Sequence, residues 1–194
     1  MKLIKPLTLA LVAGLLAINS LAAPLEIHGV KLDDSATVST VKLQLNGAGT
    51  RYKAIFKVYV AGLYLGKKAS TLADVINQPG PKRLSVTMLR DVDAEEMAAS
   101  LTHGLEDNTA KSELPKLAAN LQRMNRLFAE QKKLLSGDNF MIEWLPGVGT
   151  VITAKGKALG EPFKEPEFFN ALMSIWLGTA PADSGLKDAL LGLK

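Results

Sequence analysis

The 194-residue chain contains no cysteine. That excludes a disulfide framework, a thiolate metal site and a cysteine nucleophile. Its only histidines, His28 and His103, stand far apart without matching carboxylate spacing, so no metal centre is expected. No Gly-x-Ser-x-Gly occurs, which leaves no nucleophile elbow for a hydrolase. Gly47-Ala-Gly49 has no third glycine at the dinucleotide spacing, and no Lys-Ser/Thr closes a phosphate loop. No cofactor is therefore expected, and the glycines read as a bulge or a close backbone approach. A large charge excess is missing too. Without Lys2 and Lys5, the 23 basic residues become 21 against 19 acidic ones, too small an excess for a nucleic-acid surface. There is no repeat, linker or low-complexity tract.

What is present begins with an N-terminal pattern. Met1-Lys-Leu-Ile-Lys5 is basic, Leu7 to Ile18 is apolar apart from Thr8 and Gly14, and Ser20-Leu-Ala22 supplies small residues at a cleavage position. This is the pattern of a secretory signal peptide over 1–22, with an apolar run too short to span a bilayer comfortably. Cleavage after Ala22 gives an exported, periplasmic or secreted chain with no stable membrane anchor. One domain is expected over 23–194, large enough to bury a core of its own.

Along that domain the hydrophobic period changes. Ile27, Val30, Leu32, Val38, Val41, Leu43 and Leu45 alternate with polar residues and predict short antiparallel strands. Ser70–Asn77 predicts a short helix before Pro79-Gly-Pro81. Lys82–Arg90 alternates as a strand with Leu84, Val86 and Met88 on its buried face. Asp93-Ala-Glu-Glu96 caps a helix over Met97, Leu101 and Leu105. Pro115 opens a longer helix whose stripe is Leu117, Leu121, Met124, Leu127, Phe128 and Leu134. Two strands follow, Phe140–Leu145 and Thr150–Ala154, with Trp144 wedged at or near the core. Pro166–Gly178 and Asp183–Leu191 end the chain as helices. The order predicts an α+β fold: an antiparallel sheet covered on one face by helices.

The stretch from Asn46 to Leu65 puts Arg51 inside the most strand-like part of the chain, among Ile55, Phe56, Val58 and Val60. A guanidinium there is either exposed or partnered, because an unpaired buried charge costs several kcal/mol. In one straight strand, Arg51 and Tyr59 would lie roughly 26 Å apart. They can serve one site only if the chain folds back between them, so a hairpin or sharp bend is expected near Lys53-Ala54. The local turn signal is poor, since Tyr52-Lys-Ala-Ile55 has no Gly, Pro, Asn or Asp.

The segment Gly47-Ala-Gly-Thr-Arg51, with Lys57-Val-Tyr59-Val-Ala-Gly-Leu-Tyr-Leu65, resembles the chalcone isomerase superfamily, as does Gly178-Thr-Ala-Pro-Ala-Asp-Ser-Gly-Leu-Lys187. The likeness covers most of residues 25–191 and implies an open-faced sandwich of sheet and helices. In that family the arginine of Gly-x-Gly-x-Arg guides a phenolate during ring closure, and Arg51 matches it. True isomerases carry a tyrosine and an asparagine on the helix that resembles Asp93–Leu105, where this chain has Ala94, Glu95, Met97 and Leu101. Exported bacterial members share the layout. The non-catalytic fatty-acid-binding members keep an arginine and a tyrosine on the ligand carboxylate, a pair that Arg51 and Tyr59 resemble.

The resemblance thus implies a binding protein for a fatty acid or similar amphipathic carboxylate. Arg51 and Tyr59 would hold the head group, and Met97, Leu101, Leu121, Met124 and Trp176 would offer apolar surface to its tail. Two alternatives stand beside it. One is an intramolecular lyase or isomerase of chalcone isomerase type, with Arg51 stabilising an oxyanion and Tyr59 giving a proton. The other is a structural or interaction domain with no ligand, in which a carboxylate such as Glu143 satisfies Arg51.

Overall fold

The computed structural model describes residues 24–194. The expected signal segment, residues 1–22, lies outside the described residues. The chain opens with a small hairpin, β1 (Leu25–Ile27) and β2 (Val30–Leu32), and continues as β3 (Ser35–Val38), β4 (Val41–Lys53) and β5 (Phe56–Leu65). Helix α1 (Leu72–Asn77) leads to β6 (Lys82–Met88), a two-residue strand β7 (Val92–Asp93), and helices α2 (Ala94–Asp107) and α3 (Leu114–Ala129). Then come β8 (Lys133–Leu134), β9 (Asn139–Leu145), β10 (Gly149–Ala154), β11 (Lys157–Ala158), α4 (Pro166–Leu177) and α5 (Ser184–Leu190).

Seven strands form one antiparallel sheet in the order β11-β10-β9-β6-β5-β4-β3. The alternation in β6 works as the pattern predicts: Leu84, Val86 and Met88 are buried, while Ser85 and Thr87 on the other face are not. Tyr59, Ala61, Leu63 and Leu65 of β5 share the core with the buried stripes of α2, α3 and α4. The opposite face of β5 is not bare, because Tyr64 packs with Val38 and Leu43 in a second, small cluster. Helix α4 is the most enclosed of the described helices. Eight of its twelve residues are buried, and it touches both the sheet and α2.

Local chemistry sets the helix ends. Asp93 caps α2 by accepting the Glu95 N–H at 2.9 Å, and Asp183 caps α5 by accepting the Leu186 N–H at 2.9 Å. Pro115 and Pro166 occupy first-turn positions of α3 and α4, where a missing N–H costs nothing. One expectation is corrected. Helix α3 does not reach Leu134: it ends at Ala129, and the chain reverses through Lys132 at φ +59°. Leu134 is fully buried, but as part of β8 paired with Val92. Its spacing matched the helical stripe, yet its burial comes from the strand.

The glycines before Arg51 do provide a close approach. A Cβ on Gly47 would lie 2.0 Å from the carbonyl oxygen of Ala189, and one on Gly49 would lie 2.7 Å from the Ala189 Cβ. Helix α5 therefore rests directly on the β4 backbone. A register shift between Leu45 and Gly47 bulges β4 at Asn46. The buried Asn46 amide ties the junction together, donating to Ala69 O at 2.9 Å and Leu190 O at 2.7 Å and accepting from Ala69 N at 2.7 Å.

Candidate functional site

The chain does fold back between Arg51 and Tyr59. Lys53 pairs with Phe56, so Ala54 and Ile55 alone form the loop of the β4–β5 hairpin. Ala54 takes φ +55°, the left-handed conformation that two-residue hairpin loops need at their first position. Glycine, asparagine or aspartate would announce such a turn, and none is present. The hairpin makes Arg51 and Tyr59 direct cross-strand partners, which places their side chains on one face. A register shift between Arg51 and Tyr52 twists the ladder beside them.

Tyr59 is 6% exposed. Its hydroxyl oxygen accepts the indole N–H of Trp176 at 2.9 Å, while its own hydrogen remains available as a donor. Burial pushes this phenol up to about 12, and neither the Trp176 hydrogen bond nor the nearby Arg51 charge offsets it. The hydroxyl is thus a neutral donor at any physiological pH.

The carboxylate nearest Arg51 is Asp183, not Glu143. One guanidinium nitrogen lies 3.9 Å from Asp183 Oδ2 and donates to the carbonyl of Tyr52. Glu143 is committed to Arg83, with contacts of 2.6 and 2.7 Å on the neighbouring strands β6 and β9. Asp183 itself has firmer partners than Arg51, because Oδ1 accepts the Leu186 N–H and Oδ2 accepts the Tyr52 N–H at 2.9 Å. Burial pushes its carboxyl up, but the backbone donors of Tyr52 and Leu186, aided by Arg51, outweigh it and hold it below the ordinary carboxylate range. Asp183 therefore pins the α5 N-terminus to the hairpin, while Arg51 keeps donors that this loose contact does not use.

A cavity of about 420 Å³ opens in front of this pair. Its apolar wall includes Met97 and Leu101 of α2 and Ile175 of α4, and Arg51 and Tyr59 supply its polar end. Lys53, Phe56, Arg90 and Glu96 also line it. The volume suits a small organic ligand, and a few polar groups gathered beside an apolar wall are a common binding arrangement. A larger groove of about 700 Å³ lies beside α1, where Lys67, Lys68, Ser70, Asp74, Asn77 and Gln78 mix polar groups with Ala69, Pro79 and Leu191.

The structure sorts the residues named from the sequence. Arg51, Tyr59, Met97 and Leu101 meet at the cavity. Trp176 is buried and reaches it only through Tyr59. Leu121 and Met124, expected at the ligand, are not among the residues lining it: both lie on the buried face of α3, in the main core. Ile175 lines the cavity as an apolar residue, and the hydroxyl of the adjacent Ser174 donates to Ala171 O at 2.6 Å. The histidines are elsewhere, His28 near Lys57 at 3.2 Å and His103 near Glu106 at 3.7 Å. Sequence reasoning missed Asp183, Phe56 and Arg90. Only Asp183 carried a signal, as the cap of the last helix.

No curated protein matches the sequence. Among solved structures, a fatty-acid binding protein of Arabidopsis thaliana superposes with a TM-score of 0.62 at 15% sequence identity, covering 84% of this chain and 92% of that one. At that identity the likeness is one of fold, and it matches the sheet and helices described above. The model of a family described as chalcone isomerase-like matches residues 24–192, which is nearly the whole described chain. The chain belongs to the chalcone isomerase-like family.

Proposed function

We propose that this protein is an exported, non-catalytic binding protein for a fatty acid or similar amphipathic carboxylate, held between the sheet and the helices. The observation that carries the reading is the cross-strand pairing of Arg51 with Tyr59 at the polar end of an apolar-walled cavity. A guanidinium and a neutral phenol can donate together to one carboxylate, and the charge-assisted bonds are the stronger part. Met97, Leu101 and Ile175 give the hydrocarbon a wall, and Met adapts to chains of different shape. The fold neighbour that binds fatty acids supports this choice. The basic, apolar and small-residue succession of residues 1–22 supports export, and the intact mass of the chain recovered from a bacterial host tests it. A mass beginning at Ala23 is expected.

An isomerase reading is less well supported by the same site. A phenol whose pKa stands at about 12 is poorly matched to proton transfer near neutrality, where an acid of pKa close to the working pH serves best. The α2 residues lining the cavity, Glu96, Met97, Ser100 and Leu101, also include neither the tyrosine nor the asparagine that true isomerases carry on that helix. The test is to delipidate the protein and titrate it with long-chain fatty acids. Saturable uptake by the wild type and strongly weakened uptake by Arg51→Ala are expected. No uptake by the wild type, or undiminished uptake by the variant, refutes the proposal. Incubation with a chalcone should show no rate above the spontaneous reaction.

A further inference from the structure

The end of the β4–β5 hairpin is the most exposed apolar feature of the described chain. Ile55 is 84% exposed and Phe56 56% exposed, side by side at the tip. Apolar side chains of this size, adjacent in a tight loop, are not the scattered single exposures that ordinary surfaces carry. Phe56 also lines the cavity, so the tip is continuous with its rim. Three cations surround it. Lys53 and Lys57 flank the loop in sequence, and the Arg90 guanidinium lies 5.4 Å from the centre of the Phe56 ring. Two acidic groups stand nearby, Glu96 at 3.2 Å from Lys53, and Asp91, which accepts the Ser136 N–H at 3.0 Å. The patch therefore keeps a positive excess around an apolar point.

We propose that this hairpin tip docks on an anionic lipid surface, with Ile55 and Phe56 entering the interface and Lys53, Lys57 and Arg90 at the head-group level. The inference rests on the binding reading above and extends it, since a rim that touches the bilayer gives an amphipathic acid a path into the cavity without crossing water. The size of the patch selects lipid over protein. Two side chains expose far less than the roughly 800 Å² per partner that a stable protein interface takes, whereas a small apolar wedge ringed by cations is what an anionic interface accepts. Among the described residues no helix is long and apolar enough to cross a membrane, so contact by these elements is superficial.

The test uses the chain from Ala23, the form expected after export, which contains every described element and the core cluster they form. Flotation is measured with phosphatidylglycerol–phosphatidylethanolamine vesicles and with phosphatidylcholine vesicles. The wild type is expected to float with the first and much less with the second. Ile55→Ser with Phe56→Ser should weaken vesicle binding at least about tenfold, leaving the circular dichroism spectrum and melting temperature unchanged because both residues are exposed. Uptake of decanoate, a monomeric soluble acid, is measured in parallel without vesicles. Wild-type protein that takes up decanoate but does not float overturns the docking proposal and leaves the binding reading standing. Protein that floats but takes up no acid does the reverse. Equal flotation by the variant, or self-association that the variant abolishes in the absence of vesicle binding, also overturns docking.

Discussion

Replacing Gly47 by alanine tests the junction that places α5, and with it Asp183, against the hairpin. The glycine is not there for a left-handed backbone. It is there for space: the added Cβ would sit 2.0 Å from Ala189 O and 2.8 Å from Leu190 O, both backbone atoms of the last turn of α5. Relief requires α5 to retreat by about 1 Å. Yet Leu186 and Leu190 anchor that helix in the core, and Leu190 O accepts the buried Asn46 amide at 2.7 Å. Overpacking costs about 1–3 kcal/mol. Loosening a buried hydrogen bond adds about 1–3 kcal/mol, and restricting the unfolded chain returns about 0.4–1 kcal/mol. The net loss should fall at about 2–4 kcal/mol, which for a domain of this size lowers Tm by roughly 5–15 °C. Scanning calorimetry of Gly47→Ala is compared with Gly66→Ala, whose Cβ would meet nothing nearer than Gln78 Oε1 at 3.9 Å and which should melt with the wild type. An unchanged Tm in Gly47→Ala, or an equal fall in Gly66→Ala, refutes the reasoning.

Other consequences follow from the same site. Arg51→Lys keeps the charge but loses the planar fork, so fatty-acid affinity should fall between wild type and Arg51→Ala, with the alanine variant about ten- to a hundredfold weaker than wild type by isothermal titration, as expected for loss of charge-assisted bonds. In a Tyr52→Phe, Tyr64→Phe chain the remaining phenol should ionise at about 12 by ultraviolet difference absorbance, above the ordinary value of 10.0. Between those two values the unfolded chain sheds a proton that the folded chain keeps, so stability falls as pH rises through that window, and Tyr59→Phe should flatten the fall. Asp183 works in the opposite direction: its lowered folded pKa gives stability that is complete above the unfolded carboxylate value of about 3.9 and is lost as pH falls through the folded one. Acid unfolding of Asp183→Asn should therefore be shallower than that of the wild type, from a lower starting stability.

How far the sequence revealed these features depends on the range of the interaction that decides each one. The β6 alternation, the Asp93 and Asp183 caps and the first-turn prolines act within one element, and the chain spells them out. The hairpin at Ala54-Ile55 carries no turn residue. It was inferable only from the requirement that Arg51 and Tyr59 share a site, and the left-handed alanine shows tertiary pairing overriding local preference. The contact of Tyr52 with Asp183 joins positions 131 residues apart, beyond any pattern in the chain. The same limit makes Met97 and Leu101 indistinguishable in sequence from Leu121 and Met124. All four lie on apolar helical stripes, and periodicity says only that such a stripe is covered. Whether protein or an open cavity covers it depends on how α2, α3 and α4 stack. Helix α2 faces the cavity beside the hairpin with Met97 and Leu101, while α3 turns its stripe into the main core, where Phe128 meets Phe140 edge-on at 5.7 Å. The ligand wall is thus a property of the stacking order, and the polar pair that gives it direction is a property of a turn that the sequence leaves unmarked.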